Sequence, residues 1–167
     1  GTGKTTFLKL LCGFVKPDSG KIIYNTQELN NKNINDIRQN IAYISQDVDL
    51  PELKVKEFLS EVFSYKLNKK LKYYENVFLD YMKKFNLDKK TIDKNISDLS
   101  GGERQRLGIV TALALDRKIL LLDEVTSGLE EKLKLTLIEC LLGLKKTLIV
   151  VSHDSHWKNF QMKSLRW

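Results

Sequence analysis

Two short apolar runs in the second half of the chain constrain its fold more than any other feature. Residues 119–122 read ILLL and lead into Asp123 and Glu124, and residues 147–151 read TLIVV and lead to His153. Neither run alternates polar and apolar residues, and each follows a stretch that is predicted to be helical. Unbroken apolar strands between amphipathic helices are typical of parallel sheets that are buried on both faces. The chain is therefore predicted to have an α/β fold.

The first half of the chain contains further strands and helices. After the opening GTGKTT, residues 6–15 space their apolar side chains as a helix does, as far as Val15, and KPDSG is expected to end that helix. Short strands are predicted at 21–25 and 41–45, joined by a polar connector with one helical turn.

Residues 52–95 have a different character and are predicted to form a helical insert. Their apolar residues recur at helical spacing and are expected to form core rather than a cofactor site: Val55, Phe58, Leu59, Val62, Phe63, Leu71, Tyr74, Phe78, Tyr81, Met82 and Phe85. The lysines of this part are interpreted as a solvated helix face. After residue 99, helices are predicted from about Glu103 to Leu115 and over the leucines of 133–144.

Composition excludes several classes of protein. The chain has 167 residues and a net charge of +7, which suits one globular domain with a core of its own. It has no apolar run near the ~18 residues that a membrane span requires. Cys12 and Cys140 are isolated and lie among leucines, so we expect two buried thiols and neither a zinc site nor a disulfide framework.

Polar side chains follow three of the predicted strands. Gln46 comes after the strand at 41–45, Asp123 and Glu124 come after the strand at 119–122, and His153 comes after the strand at 147–151. Ligands of open α/β sheets bind at the carboxyl edge of the strands. We therefore expect these four side chains to line a ligand site.

The opening GTGKTT matches the second half of the phosphate-binding pattern G-x-x-x-x-G-K-[ST] and leads into a helix. Backbone N–H groups and the helix N-terminus favour phosphate oxygens there. Lys4 is expected to reach the β- and γ-phosphates, the Thr5 hydroxyl to ligate Mg²⁺ and Thr6 to contact the α-phosphate. The alternative is a glycine turn that caps a helix beside a surface lysine.

Asp123 and Glu124 would complete such a site. An aspartate at the end of a buried strand can hold the Mg²⁺ shell, and the next residue can orient or deprotonate a water that attacks the γ-phosphate. The alternative is two acidic residues that begin an ordinary loop.

Residues 99–106 read LSGGERQR, and they present a second glycine pair just ahead of a predicted helix. A capping box explains Ser100 and Glu103 but leaves Gly101 and Gly102 unexplained, since glycine weakens helices. Two residues without side chains instead allow an anion to approach exposed amides. The first loop already holds a nucleotide, so the second is expected to grip a nucleotide held by another subunit.

Six segments, in this order, resemble the motifs of the nucleotide-binding domain of ABC transporters, a family of ATPases. GTGKTT is similar to Walker A, AYISQD to the Q-loop, LSGGERQR to the ABC signature, ILLLDE to Walker B, TSGLE to the D-loop and VVSHD to the H-loop. The resemblance covers nearly the whole chain, and the signature is its most specific part.

The resemblance implies a P-loop NTPase of the RecA-like kind, with a mostly parallel sheet at 1–51 and 96–167 and a helical subdomain at 52–95. It also implies a head-to-tail dimer around two ATP molecules, at the cytoplasmic face of a membrane and docked on a transmembrane partner. Each ATP would lie between one subunit's P-loop and the other's signature, the contacts being Gly1, Thr2, Gly3, Lys4, Thr5 and Thr6, and Ser100, Gly101 and Gly102.

The same resemblance implies the catalytic roles. Glu124 would be the general base, His153 would contact the γ-phosphate, and Gln46 would touch Mg²⁺ and the attacking water. The metal ligands would be Thr5, Gln46 and Asp123.

Three features depart from the family pattern. Val125 stands where the family usually has proline, and Glu130 ends the D-loop where the family has aspartate. The sequence also begins inside Walker A. We therefore expect a fragment truncated within that motif, which alone neither folds stably nor hydrolyses ATP.

Other functions are weaker interpretations of the same motifs. Soluble ABC-type ATPases of DNA repair usually insert coiled coils or zinc modules between Walker A and the signature, and the gap from Lys4 to Leu99 has neither heptads nor a cysteine cluster. Translation-associated ABC proteins carry two cassettes, whereas one is present here. Nucleic acid is accordingly not the expected partner. A cassette that binds ATP without hydrolysis is disfavoured by Glu124 and His153.

Overall fold

The first elements of the chain are short. A computed structural model describes residues 3–68, 71 and 74–160. Helix α1 (Lys4–Leu11) is followed by an antiparallel hairpin of β1 (Ile23–Tyr24) and β2 (Gln27–Glu28), and then by α2 (Ile34–Arg38). The hairpin and α2 occupy the region that the sequence predicted as a strand and a polar connector.

Helix α1 ends earlier than its apolar spacing predicted. The N–H of Gly13 bonds to the carbonyl of Leu10 at 2.8 Å, and the N–H of Phe14 bonds to the carbonyl of Lys9 at 2.9 Å. These are the two bonds of a Schellman motif, and Gly13 has the left-handed φ of 66° that it requires. Val15 is 40% exposed beyond this end, so the prediction of a helix through Val15 was wrong.

The middle of the chain is helical, as predicted. Helices α3 (Val55–Ser64) and α4 (Tyr74–Lys84) are followed by 3₁₀ turns at Lys89–Asp93 and Ile96–Asp98. The prediction that their apolar stripe is core is confirmed for Val55, Leu59, Phe63, Phe78, Met82 and Phe85, all buried.

Within the residues that the structure describes, three parallel strands form the central sheet. They are β3 (Ile41–Ile44), β4 (Ile119–Asp123) and β5 (Thr147–Val151), in the order β3-β4-β5. Helix α5 (Gly101–Ala114) lies between β3 and β4 in sequence, and α6 (Glu131–Leu142) lies between β4 and β5. Because the strands are parallel, their carboxyl ends lie along one edge of the sheet.

Helix α5 begins two residues before the position that the sequence predicted. Ser100 is its N-cap, so Gly101 and Gly102 form its first turn rather than a loop ahead of it. The reason is the capping box, whose hydrogen bonds start the helix at Ser100 and outweigh the low helix propensity of the two glycines.

The core has two parts. A large cluster joins α3, α4, α5 and α6 to the sheet, and a small one, formed by Leu8, Cys12, Leu121 and Val151, packs α1 on β4 and β5. Both cysteines are free and buried, as predicted. Burial raises the pKa of the Cys12 thiol to about 11, although Arg38 lowers it in part, so this thiol stays protonated at neutral pH.

None of the helices in the described ranges is both long enough and apolar enough to cross a bilayer.

Candidate functional site

Lys4 and His153 meet at the carboxyl edge of the sheet. Lys4 is the first residue of α1, and His153 lies two residues beyond the end of β5. The Lys4 ammonium donates to Nε2 of His153 at 3.0 Å, although the two residues are 149 positions apart in the sequence. The side chain of His153 is 81% exposed, so the contact lies at the open surface of this edge.

Glu124 follows β4 in a left-handed conformation with φ of 49°. Its N–H donates to the carbonyl of Val151 at 2.8 Å, which ties it to the end of β5. Its carbonyl accepts from the N–H of Ser127 at 2.9 Å and from the Ser127 hydroxyl at 2.6 Å. A left-handed residue with a side chain costs about 1–2 kcal/mol, and these bonds hold it in place.

The carboxylate of Glu124 points toward the same edge. Its Oε2 accepts from the N–H of His153 at 3.2 Å and from the Ser152 hydroxyl at 3.4 Å, and its Oε1 lies 3.8 Å from Nε2 of His153. Within the described ranges, no donor lies within hydrogen-bond distance of the buried Oε1. A buried carboxylate oxygen in this state is suited to accept a proton or a hydrogen bond from a bound molecule.

Asp123 is only 2% exposed and lies directly before Glu124. The phenol of Tyr43, on the neighbouring strand β3, donates to Oδ2 of Asp123 at 3.3 Å. Burial, the charge of Asp123 and this hydrogen bond raise the pKa of Tyr43 to about 12, so the phenol remains a donor at neutral pH. Sequence reasoning missed Tyr43; its only signal was one hydroxyl in an otherwise apolar strand.

The remaining P-loop residues lie at the start of α1. Gly3 is the N-cap of the helix and is left-handed, with φ of 77°, while Thr5 and Thr6 are exposed in the first turn. Gly1 and Thr2, which were predicted to bind the nucleotide, lie outside the described residues. Gln46 is exposed two residues beyond the end of β3.

The signature residues lie at the N-terminus of α5. The Ser100 hydroxyl accepts from the N–H of Glu103 at 3.2 Å, and the Glu103 carboxylate accepts from the N–H of Ser100 at 2.9 Å. These bonds, together with Lys94, lower the pKa of Glu103 against a smaller opposing effect of burial. The capping box is thus present, and it accounts for Ser100 and Glu103.

Contacts with the described residues do not explain the glycine pair. Among the described residues, a β-carbon on Gly101 would meet no atom within 4 Å, and one on Gly102 would meet only the end of the flexible Arg106 side chain, at 3.3 Å. Neither glycine has a left-handed φ. The open space in front of this helix N-terminus is therefore available to another molecule.

Gln105 and His156 contact the segments that follow β4 and β5, and sequence reasoning missed both residues. The carboxamide of Gln105 donates to the carbonyls of Ser127 and Val125, at 2.6 and 3.2 Å. The ring of His156 lies 2.6 Å from a carboxylate oxygen of both Asp154 and Glu131. The contacts of Gln105 and the contact of His156 with Glu131 join residues that are 20 or more positions apart, so no local pattern could have predicted them.

The residues present fit a phosphate ligand and a magnesium ion. Within the ranges that the structure describes, no cluster of three or more His, Cys, Asp or Glu could hold a metal alone. Magnesium in nucleotide sites is bound by one or two carboxylates together with substrate phosphates. Asp123, whose buried carboxylate accepts a hydrogen bond from Tyr43, is a carboxylate of this kind.

Comparison with known families shows which family has this arrangement of residues. The family model described as ABC transporter matches residues 1–127, which include Lys4, the signature and Glu124. The chain belongs to the ABC transporter family. Its α/β P-loop fold, predicted from the motifs, is that of the family's ATP-binding cassettes.

The curated relatives are ATP-binding proteins of transporters. A probable iron export ATP-binding protein of Escherichia coli, FetA, is 33% identical over 134 residues, which are 80% of this chain and 58% of that protein. An energy-coupling factor transporter ATP-binding protein of Mycoplasma mobile is 32% identical over 161 residues, which are 92% of this chain and again 58% of that protein. The chain therefore spans under two thirds of the length of these relatives.

Solved structures confirm the fold. A dimeric ATP-binding cassette in a post-hydrolysis state, bound to ADP and Pi, has a TM-score of 0.75 and 26% identity over 92% of this chain and 71% of its own. An ATP-binding subunit of an ABC transporter has a TM-score of 0.79 and 26% identity over 90% of this chain and 63% of its own.

Proposed function

We propose that the chain binds and hydrolyses ATP to power transport across a membrane by an ABC transporter. The observation that carries the proposal is the contact between Lys4 and His153, beside the unpartnered carboxylate oxygen of Glu124. A lysine at a helix N-terminus can bind the β- and γ-phosphates, and a carboxylate at the same sheet edge can orient or deprotonate the attacking water.

The proposed roles follow from these positions. Lys4, at the start of α1, binds the β- and γ-phosphates together with the backbone amides of Gly1, Thr2, Gly3 and Thr6. In doing so its ammonium exchanges the Nε2 atom of His153 for phosphate oxygens. His153 then contacts the γ-phosphate, and Glu124 Oε1 accepts the proton of the attacking water.

The residues proposed to hold magnesium are Thr5, Gln46 and Asp123. When bound, the ion neutralises charge on the phosphates. Tyr43 supports magnesium binding by donating a hydrogen bond to Oδ2 of Asp123, so that Oδ1 is the oxygen proposed to face the ion.

The signature is proposed to bind a nucleotide held by a second cassette. The glycine pair leaves the first turn of α5 open, and no contact with the part of the chain that the structure describes requires glycine at Gly101. Ser100, Gly101 and Gly102 would thus contact the γ-phosphate from across a dimer interface. The dimeric cassette with ADP and Pi supports an ATP-sandwich dimer, because it shares this fold.

The remaining partner is a transmembrane domain. We assign residues 1–51 and 96–167 to a RecA-like part and 52–95, with α3 and α4, to a helical subdomain that docks on that partner at the cytoplasmic face. The curated relatives, which are transporter ATP-binding proteins, support this assignment.

The test is ATP-dependent dimerisation of the purified full-length protein. Glu124→Gln should block turnover and leave nucleotide binding intact, so that Mg-ATP shifts the protein from monomer to dimer in light scattering. Adding Ser100→Arg should abolish the shift, because a guanidinium would fill the open space at the helix N-terminus.

Controls separate the possible results. Lys132→Arg, on the exposed surface of α6, should leave the shift unchanged. A protein that neither hydrolyses nor binds ATP contradicts the proposed function. One that binds ATP but stays monomeric contradicts the sandwich of two identical cassettes.

A further inference from the structure

We infer that Gln105 is a positioning residue that links the signature helix to the catalytic glutamate of the same subunit. The inference rests on the proposed function and adds a route by which one nucleotide site influences the other. It concerns the β4–α6 loop, defined as residues 124–130, and its attachment to α5.

Gln105 is a buried polar residue on a helix whose other buried positions are almost all apolar. It lies five residues after Ser100 and is 9% exposed. Both bonds of its carboxamide nitrogen go to the β4–α6 loop, at 2.6 Å to the Ser127 carbonyl and 3.2 Å to the Val125 carbonyl. A buried amide requires such acceptors, and here one loop supplies both.

The loop that Gln105 holds is the one that contains the strained Glu124. Ser127 closes the turn by donating its N–H and hydroxyl to the Glu124 carbonyl. Gln105 binds the carbonyl of the same Ser127. The peptide groups on the two sides of Ser127 are therefore fixed from opposite directions, one by Glu124 and the other by α5.

Holding this turn positions the Glu124 carboxylate. A left-handed glutamate keeps its conformation only while the surrounding bonds enforce it. Without Gln105, the loop keeps its internal bonds and those that join it to residues 151–154, and it loses its two bonds to α5. The carboxylate would then sample positions away from the attacking water, and a displacement of about 1 Å can reduce a rate about 100-fold.

The same side chain connects two nucleotides in the proposed dimer. The N-terminus of α5 faces the nucleotide of the partner cassette, whereas Glu124 acts on the nucleotide of its own. Because Gln105 lies one turn inside α5, a shift of the signature on binding is transmitted to the β4–α6 loop through its two hydrogen bonds.

The test is Gln105→Met in the full-length protein, which keeps the length of the side chain and removes both donors. We expect kcat for ATP hydrolysis to fall about tenfold or more. The KM for ATP and the ATP-dependent dimerisation in the Glu124→Gln background should stay within about twofold, since neither needs an exact carboxylate position. Amide hydrogen exchange of residues 125–128 should become faster than in the wild type, whereas exchange of residues 107–114 should not.

Gln39→Met is the matched control, because Gln39 is exposed at the end of α2 and should keep the wild-type kcat. An unchanged kcat in Gln105→Met overturns the inference, as does an equal loss of binding and turnover, which would indicate a general structural role. A wild-type protein without ATPase activity would instead overturn the proposed function.

Gln105→Glu provides a second measurement if Gln105→Met does not fold. The ionised carboxylate faces two carbonyl oxygens and cannot donate, whereas the protonated form donates once. The ratio of its kcat to that of the wild type should therefore rise as the pH is lowered from about 8 to about 5.5, because burial among acceptors disfavours the charged form. A ratio that does not change with pH overturns the inference.

Discussion

Gly3 and Gly101 both begin a helix, but they are glycine for different reasons. Gly3 adopts a left-handed φ of 77° at the N-cap of α1, which a side chain disfavours. Gly101 has an ordinary helical backbone, and a β-carbon there would meet no atom of the described residues within 4 Å. The first glycine is required by the backbone conformation, whereas the second is proposed to be required by the nucleotide that binds in front of α5.

Alanine substitutions should separate these two requirements. Gly3→Ala should lower the free energy of unfolding by about 1–2 kcal/mol, because alanine must adopt a left-handed conformation. Gly101→Ala should leave it unchanged or raise it by up to about 1 kcal/mol, since alanine favours helix. The measurement is urea unfolding without nucleotide.

Gly101→Ala should nevertheless weaken ATP-dependent dimerisation in the Glu124→Gln background. A loss of stability in Gly101→Ala comparable to that in Gly3→Ala would show that the fold itself requires the glycine. Normal dimerisation would show that the signature does not approach a ligand closely at this position.

At this scale, sequence order predicted the polar side chains at the strand ends and not the side chains that support them. Gln46, Asp123, Glu124 and His153 follow apolar runs, so their common edge could be inferred from strand direction alone. Tyr43 and Gln105 act through partners that are 80 and 20 residues away. Their roles depend on how the elements pack, which a single sequence does not specify.

Among the elements, the segment after β5 is attached to the start of α6. Asp154 caps the 3₁₀ turn Ser155–Asn159 and contacts Nδ1 of His156 at 2.6 Å, while Nε2 of His156 contacts Glu131 at the same distance. This pairing of a histidine with two carboxylates holds the end of the H-loop against the residue that begins α6.

The acid stability of this attachment follows from Asp154. Burial alone would raise the pKa of its carboxyl, but hydrogen bonds from the backbone and ring of His156 and from Thr126, with the charge of His156, lower it below 3.8. A lowered folded-state pKa contributes stability above the unfolded pKa, which is lost as the pH falls through the folded value.

Asp154→Asn should therefore lower the free energy of unfolding at pH 7 by about 1 kcal/mol, because a charge-assisted bond becomes a neutral one. The difference from the wild type should shrink as the pH falls below 3.8 toward the lower pKa of the folded state, at which the wild-type carboxyl of the folded protein also becomes neutral. Urea unfolding between about pH 7 and about pH 3 measures this. Asp18→Asn, at an exposed position, is the control. A difference that persists unchanged at the lowest pH would assign the effect to packing.

The order and type of the elements could be predicted, but their ends could not. Apolar runs located β3, β4 and β5, and the amphipathic stripe located α3 and α4. The end of α1 was set by a Schellman motif at Gly13, and the start of α5 by the Ser100 capping box. At both places local hydrogen bonds decided the boundary, and the spacing of apolar residues did not indicate it.

In the whole molecule, one large core spans both the helical insert and the sheet. The cluster that contains Phe85 and Met82 also contains Ile44 of β3, Leu122 of β4 and Leu137 of α6. The division into a RecA-like part and a helical subdomain is a functional proposal, whereas the packing joins both parts in one hydrophobic core. Elements that share a core unfold together.

Phe85→Ala should therefore destabilise the whole described fold and not only the insert. Phe85 is 0% exposed, and its truncation should cost about 3–5 kcal/mol. Far-ultraviolet circular dichroism, which reports all the helices, and tryptophan fluorescence, to which the buried Trp157 contributes, should give coincident melting curves that shift together. Leu135→Ala, at a residue that is 41% exposed on α6, should change stability by less than about 0.5 kcal/mol.

The contradicting outcome is a helical signal of Phe85→Ala that is lost at a lower temperature than its fluorescence signal. The insert would then be an independent unit. Docking on a transmembrane partner could in that case move the insert without disturbing the sheet edge that holds Glu124.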